Sequence, residues 1–146
     1  MRDACQENET NMTNQKGRLL AIDTGSTSTK IGYFVDGELA FEENLAHKAE
    51  DLAGFKDVME QDTLRRDDVR IFMRGKGIHA QDIDIVMARG GLFYPVVTGI
   101  YSVNEDMREV LRNCKYGRHA CNLSAIIADD LAKEITEKNV ARGVEM

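Results

Sequence analysis

The sequence predicts a mixed α/β domain, an antiparallel meander of three strands followed by helices that alternate with one further strand. Short apolar runs at Leu19–Ile22 and Ile31–Val35 flank a polar bend, and Asp36-Gly37 then gives a two-residue hairpin signal before a third run at Glu38–Leu45. Apolar residues recur at helical spacing around Leu52, Val69, Met107 and Leu123. Between these stretches Ile83–Ala88 is almost wholly apolar and closes on Gly90-Gly91. The order that follows is β-β-β-α-(α)-β-α-α, a mixed α/β layout.

Residues 1–16, MRDACQENETNMTNQK, are polar and aperiodic and read as a disordered extension. Leu52, Phe55, Val58 and Met59 predict a helix within residues 47–61. A break at Asp62-Thr63 offers the cap of a second helix, which presents Val69, Phe72 and Met73 and stops near Gly75 or Gly77. On it the run Arg65-Arg66-Asp67-Asp68 reads as a solvated face, and Gly75-Lys76-Gly77 as a helix stop, not a nucleotide loop. Ile83–Ala88 is expected at the centre of the sheet because both of its faces are apolar. Pro95 and Gly99 keep Phe93–Val103 out of a helix. Asn104 caps the next helix, whose stripe is Met107, Val110, Leu111 and Cys114. After a loop at Tyr116–His119, a last helix runs from about Cys121 to Lys138 with Leu123, Ile126, Ile127, Leu131 and Ile135 on its apolar face.

At 146 residues, 42% hydrophobic and 30% charged, the chain has the composition of one globular domain with a core. A net charge of −6 argues against a broad nucleic-acid surface. No run reaches membrane-spanning length, and the N-terminus has no apolar signal core. The three cysteines, Cys5, Cys114 and Cys121, are odd in number and form no CxxC pair, which fits a reduced, cytoplasmic setting. Cys114 and Cys121 read as core or helix-end residues, not ligands.

The chemistry concentrates in Asp23-Thr24-Gly25-Ser26-Thr27-Ser28-Thr29-Lys30. Gly25 lets the backbone approach a ligand closely. Hydroxyls and successive N–H groups can grip phosphate oxygens, and Lys30 adds a point charge. Asp23 at the head of the turn suits a hydrated Mg²⁺, which takes few carboxylates. The bland reading is a turn whose Ser and Thr side chains bond their own backbone. Likewise Arg89-Gly90-Gly91 is either a close-approach corner or a plain connection, and Arg89 a fork for an oxyanion or a surface ion pair. Phe93, Tyr94 and Val97 line an apolar pocket or merely pack. His119, on its own, is a loop histidine without a role.

Together LLAIDTGSTSTKIGYF (19–34), VDGE (35–38), VMARGGLFYPVVTGIYSVNEDM (86–107) and YGRHACNLSAIIA (116–128) resemble the acetate and butyrate kinase family, its butyrate kinases above all, within the sugar kinase, Hsp70 and actin superfamily. The resemblance covers nearly everything after residue 16. It implies the N-terminal domain of a ribonuclease H-like fold. It implies phosphoryl transfer from ATP to a short-chain fatty acid, giving an acyl phosphate and ADP with Mg²⁺, and small-molecule partners without nucleic acid or membrane. Full-length relatives would be homo-oligomers. By the same resemblance Asp23, Gly25, Ser26, Thr27, Ser28 and Lys30 match the first phosphate loop, with Asp23 toward Mg²⁺. Arg89, Gly90 and Gly91 match the Gly-pair turn at the acyl site. His119 and Asn122 match the His-centred loop near the transferred phosphoryl group. Acetate kinases usually carry Asn where Asp23 stands, and their active-site Arg is offset from Arg89.

Family members are more than twice this length, so the resemblance implies that residues 17–146 are the first of two lobes, inactive or weak alone. The alternative is a non-catalytic nucleotide-binding activator or scaffold of the same fold. Activators of radical dehydratases would show cluster-binding cysteines, a context that Cys114 and Cys121 lack. A lone lobe would also expose apolar surface and associate with itself.

Overall fold

A computed structural model describes residues 16–141. The extension expected at residues 1–16 lies outside the described residues apart from Lys16. The meander comprises β1 (Arg18–Thr24), β2 (Ser28–Val35) and β3 (Glu38–Ala46), as the apolar runs predict. Asp36 and Gly37, both at positive φ (52° and 84°), make the tight hairpin between β2 and β3. Antiparallel pairing sets Asp23 opposite Lys30 and Thr24 opposite Thr29. Alternation along the strands then sorts the residues. Leu20, Ile22, Thr24, Thr29, Ile31 and Tyr33 are buried toward the helices.

A one-turn helix, α1 (Ala49–Leu52), and a 3-10 turn (Val58–Gln61) follow. The single helix expected in 47–61 is therefore two pieces. Gly54 lies between them, and Asp57 restarts the chain by accepting the Met59 N–H. Helix α2 (Asp62–Lys76) has Gln61 as its N-cap, so Asp62 and Thr63 already lie inside it. Gly77, at φ 67°, ends it in the left-handed conformation that glycine tolerates.

Strand β4 (Ile85–Ala88) pairs parallel with β1, giving the order β3-β2-β1-β4. The expectation of a central strand is corrected: β4 is an edge of the sheet among the described residues. Its apolar run satisfies itself differently. Val86 and Ala88 pack on the main core, while Ile85 stays exposed. Helix α3 (Glu105–Arg112) is capped by Asn104, which accepts the Met107 N–H. Helix α4 (Asn122–Ala141) buries Leu123, Ile127, Leu131 and Ile135 with Val69 and Phe72 of α2 against the sheet. Ala125 and Ile126 join Leu111 of α3 in a smaller cluster that touches Phe93, Val103 and Met107. Arg108 bridges α3 to α4 through Asp129 and Asp130, at 2.9 Å each. The result is a mixed four-stranded sheet with α2 and α4 on one face. No helix of the described residues is long and apolar enough to cross a membrane.

Candidate functional site

Pairing β1 with β4 in parallel brings Asp23, Lys30 and Arg89 to one corner of the sheet. They border a cleft of about 410 Å³ over the face that carries Ala21, Gly32, Phe34, Leu39 and Met87. Arg89 Nη1 lies 3.4 Å from the Asp23 carboxylate and the Arg89 side chain is 76% exposed. A pair so exposed is worth about 0–1 kcal/mol, so a ligand oxyanion can take the guanidinium from it. Past β4 a second, mostly apolar cleft of about 790 Å³ begins at Gly90 and Gly91 and includes Phe93, Tyr94, Val97 and Leu111. The Arg89-Gly90-Gly91 corner separates the two clefts.

The bend 25–27 is tied down from behind. Thr24, fully buried, donates its hydroxyl to the Ala120 carbonyl (2.6 Å) and its N–H to Ser124 Oγ (2.9 Å), which joins the bend to the start of α4. The Thr27 carbonyl accepts the His47 N–H at 2.7 Å. The carbonyls of Ser26 and Ser28 accept from Arg65, at 3.3 and 2.7 Å. With the Ser26 and Thr27 carbonyls facing the protein, planar trans peptides turn the Thr27 and Ser28 N–H groups the other way. Among the described residues neither the Ser26 nor the Thr27 N–H donates to a protein acceptor, and both side chains are exposed.

The histidine loop is equally built. His119 Nδ1 accepts the Cys121 N–H at 3.0 Å, so a neutral imidazole carries its proton on Nε2 and offers a donor. Arg118 pairs with Asp57, whose carboxyl is held below the usual range first by the Met59 N–H and then by Arg118. Asn122 is fully buried: its carbonyl oxygen accepts the Leu92 N–H (2.9 Å) and its amide donates to the Gly117 carbonyl (2.8 Å). This side chain links the glycine corner to the histidine loop and has no free group for a substrate. Gly91 packs so tightly on it that a Cβ would fall 2.8 Å from Asn122 Cα. Gly90 has open space around it.

The reading of Arg65–Asp68 as a solvated face is corrected. Arg65 is fully buried and Asp68 nearly so; Arg66 and Asp67 stay toward the surface. Arg65 lies in line with Val69 and Phe72, one turn apart along α2, and that spacing is the signal that points it inward. Asp68 accepts from His47 Nε2 (2.9 Å) and Thr29 (3.2 Å). Burial pushes its carboxyl up, and His47 is the main influence pulling it down. Cys114 and Cys121 are free and half-buried, and burial pushes the Cys121 thiol up. Among the described residues no group of three or more His, Cys, Asp or Glu could hold a metal ion.

No family model matches the chain. Over 118 residues it is 41% identical to butyrate kinase 1 of Clostridium acetobutylicum, which covers 81% of this chain and 33% of that protein. Probable butyrate kinases of Listeria monocytogenes (41% identical) and Coprothermobacter proteolyticus (38%) match with the same coverage. The chain thus spans about a third of the length of the curated relatives it matches. It is a homologue of butyrate kinases across four fifths of its own residues.

Proposed function

We propose that this homologue of butyrate kinases forms the N-terminal, phosphate-binding lobe of a carboxylate kinase with a ribonuclease H-like fold, which moves the γ-phosphoryl group of ATP to a short-chain fatty acid. The convergence of the hydroxyl bend, the glycine corner and the histidine loop at the ends of β1 and β4 is the observation that carries this reading. The free N–H groups of Ser26 and Thr27, the hydroxyls of Ser26, Thr27 and Ser28, the closeness allowed by Gly25, and Lys30 would hold the nucleotide phosphates. Asp23 suits Mg²⁺, which takes one or two protein carboxylates and completes its shell with water and phosphate. When bound, that ion would neutralise charge on the phosphates.

Phosphoryl transfer asks the protein mainly for positioning and for donors around a spreading negative charge. Arg89 leaves Asp23 for the acceptor carboxylate or the phosphoryl oxygens, which it can fork with two parallel N–H bonds. His119 Nε2–H donates to the phosphoryl group. Gly90, with open space around it, lets the acceptor pass close to the backbone, Gly91 makes room for Asn122 behind it, and Phe93, Tyr94 and Val97 receive the hydrocarbon tail. Asn122 keeps the two loops in register.

A chimera tests this reading. Residues 17–141 would replace the matching third of butyrate kinase 1 of Clostridium acetobutylicum, and acyl phosphate formation from MgATP and butyrate would be followed as hydroxamate. The expected result is turnover that falls about 10²–10³-fold on Arg89→Ala or His119→Ala. A folded chimera with no turnover would refute it.

A further inference from the structure

Arg65 has all of its guanidinium donors engaged, and every acceptor is neutral. Nε and Nη2 reach Gln61 Oε1 (3.2 and 2.9 Å), Nη2 also reaches the Ser26 carbonyl (3.3 Å), and Nη1 reaches the Ser28 carbonyl (2.7 Å) and Thr29 Oγ1 (3.1 Å). Among the described residues no carboxylate lies within ion-pair distance of it. Asp68 is the nearest candidate, and its carboxylate is taken by His47 and by the same Thr29. A buried cation is ordinarily paired, because leaving water without a counter-charge is costly. Here the nearest counter-charge, Asp68, is reached only through Thr29, and the guanidinium sits directly behind a bend whose other side offers free N–H groups.

We propose that Arg65 is the positioning residue of the phosphate bend: it holds the carbonyls of Ser26 and Ser28 inward, turns the Thr27 N–H of the first of these peptides outward, and places its charge behind the bound phosphoryl chain. The inference rests on the kinase reading of the bend and adds a residue to it. Arg65 does not touch the ligand. Its charge acts through the Ser26–Thr27 peptide unit, from a position with no exposed surface. Gln61, and the relay from Thr29 through Asp68 to His47, fix where the guanidinium lies.

The test uses the whole chain with MgATP and with tripolyphosphate as probes. Affinity is read by calorimetry, folding by circular dichroism, and the Ser26 and Thr27 amides by ¹⁵N NMR. In the wild type both probes bind and move these amide signals. Arg65→Lys keeps the charge but cannot hold both carbonyls, and it should bind about tenfold more weakly. Arg65→Met should lose a further tenfold or more, together with the amide shifts. Gln61→Met leaves the charge but frees the guanidinium, and should weaken binding several-fold; it serves where Arg65→Met fails to fold. A purely architectural Arg65 gives folded variants that bind alike, with the same amide shifts, and that result overturns the inference while the kinase reading stands. A folded wild type that binds neither probe overturns both.

Discussion

Asn122 governs the site's geometry at the scale of one residue, because one buried amide satisfies a backbone donor of the glycine corner and a backbone acceptor of the histidine loop. Asn122→Ala leaves the part-buried Leu92 N–H and Gly117 C=O without these partners, at a cost of roughly 1–2 kcal/mol, the lower part of the range for unsatisfied polar groups. Urea unfolding would show that loss, and Asn122→Asp, which keeps an acceptor for Leu92, should recover part of it. Gly91→Ala is expected to be worse for the site than for the fold, since its Cβ meets the backbone of Asn122 and the corner must move. The ion pair of Glu134 with Arg70 (2.6 Å) bears on pH instead. Arg70 is the main cause that lowers the Glu134 carboxyl, so the folded form binds its proton less readily than the unfolded chain. Its stabilisation is present above the ordinary glutamate range, near pH 4, and is lost as pH falls through the lowered value. Glu134→Gln should therefore lower the melting temperature at pH 7 and have no effect once the pH is below that value. Single residues were also the hardest to read from sequence. Arg65 and Asp68 sit in a run of four charges, and charge alone said surface. Only spacing from Val69 and Phe72 separates them from Arg66 and Asp67, and the reason for burying a guanidinium there lies in the bend 37 or more residues away.

At the scale of elements, strands and long helices were legible because their periodicity and stop signals agree. Asp36-Gly37 turns where expected, Asn104 caps α3, and Gly77 ends α2. The Gly77 site is open, with nothing within 4 Å of a would-be Cβ, so Gly77→Ala tests backbone strain alone. Its left-handed φ should cost about 1 kcal/mol in a thermal melt. Asn at the same position should cost less, since Asn tolerates that region. Periodicity failed at 47–61, where apolar spacing fits a helix but Gly54 and the Asp57 cap divide it. It also failed for β4. An apolar strand reads the same whether a second strand or side chains cover its flank, so position in the sheet could not follow from Ile83–Ala88 alone.

For the whole molecule, the three candidate segments meet, yet the corner of Asp23, Lys30 and Arg89 faces an open cleft among the described residues. Its polar groups suit phosphates. For a purine, whose recognition needs stacking on both sides and edge-on hydrogen bonds, the cleft offers among the described residues one aromatic ring, Phe34, beside Ala21, Leu39 and Met87 at the sheet surface. MgATP and tripolyphosphate should therefore bind this chain with affinities within several-fold of each other, a comparison that calorimetry makes directly. Group transfer needs water kept from the phosphoryl donor and both reactants held in line, and closure around the ligands supplies both in enzymes of this kind. With the cleft open, butyryl phosphate formation by the chain alone should stay at the background of the hydroxamate assay even where MgATP binds. ATP binding a hundredfold tighter than tripolyphosphate, or turnover well above background, would mean that these residues already hold a base pocket and a closed site, and the one-lobe account would have to be given up.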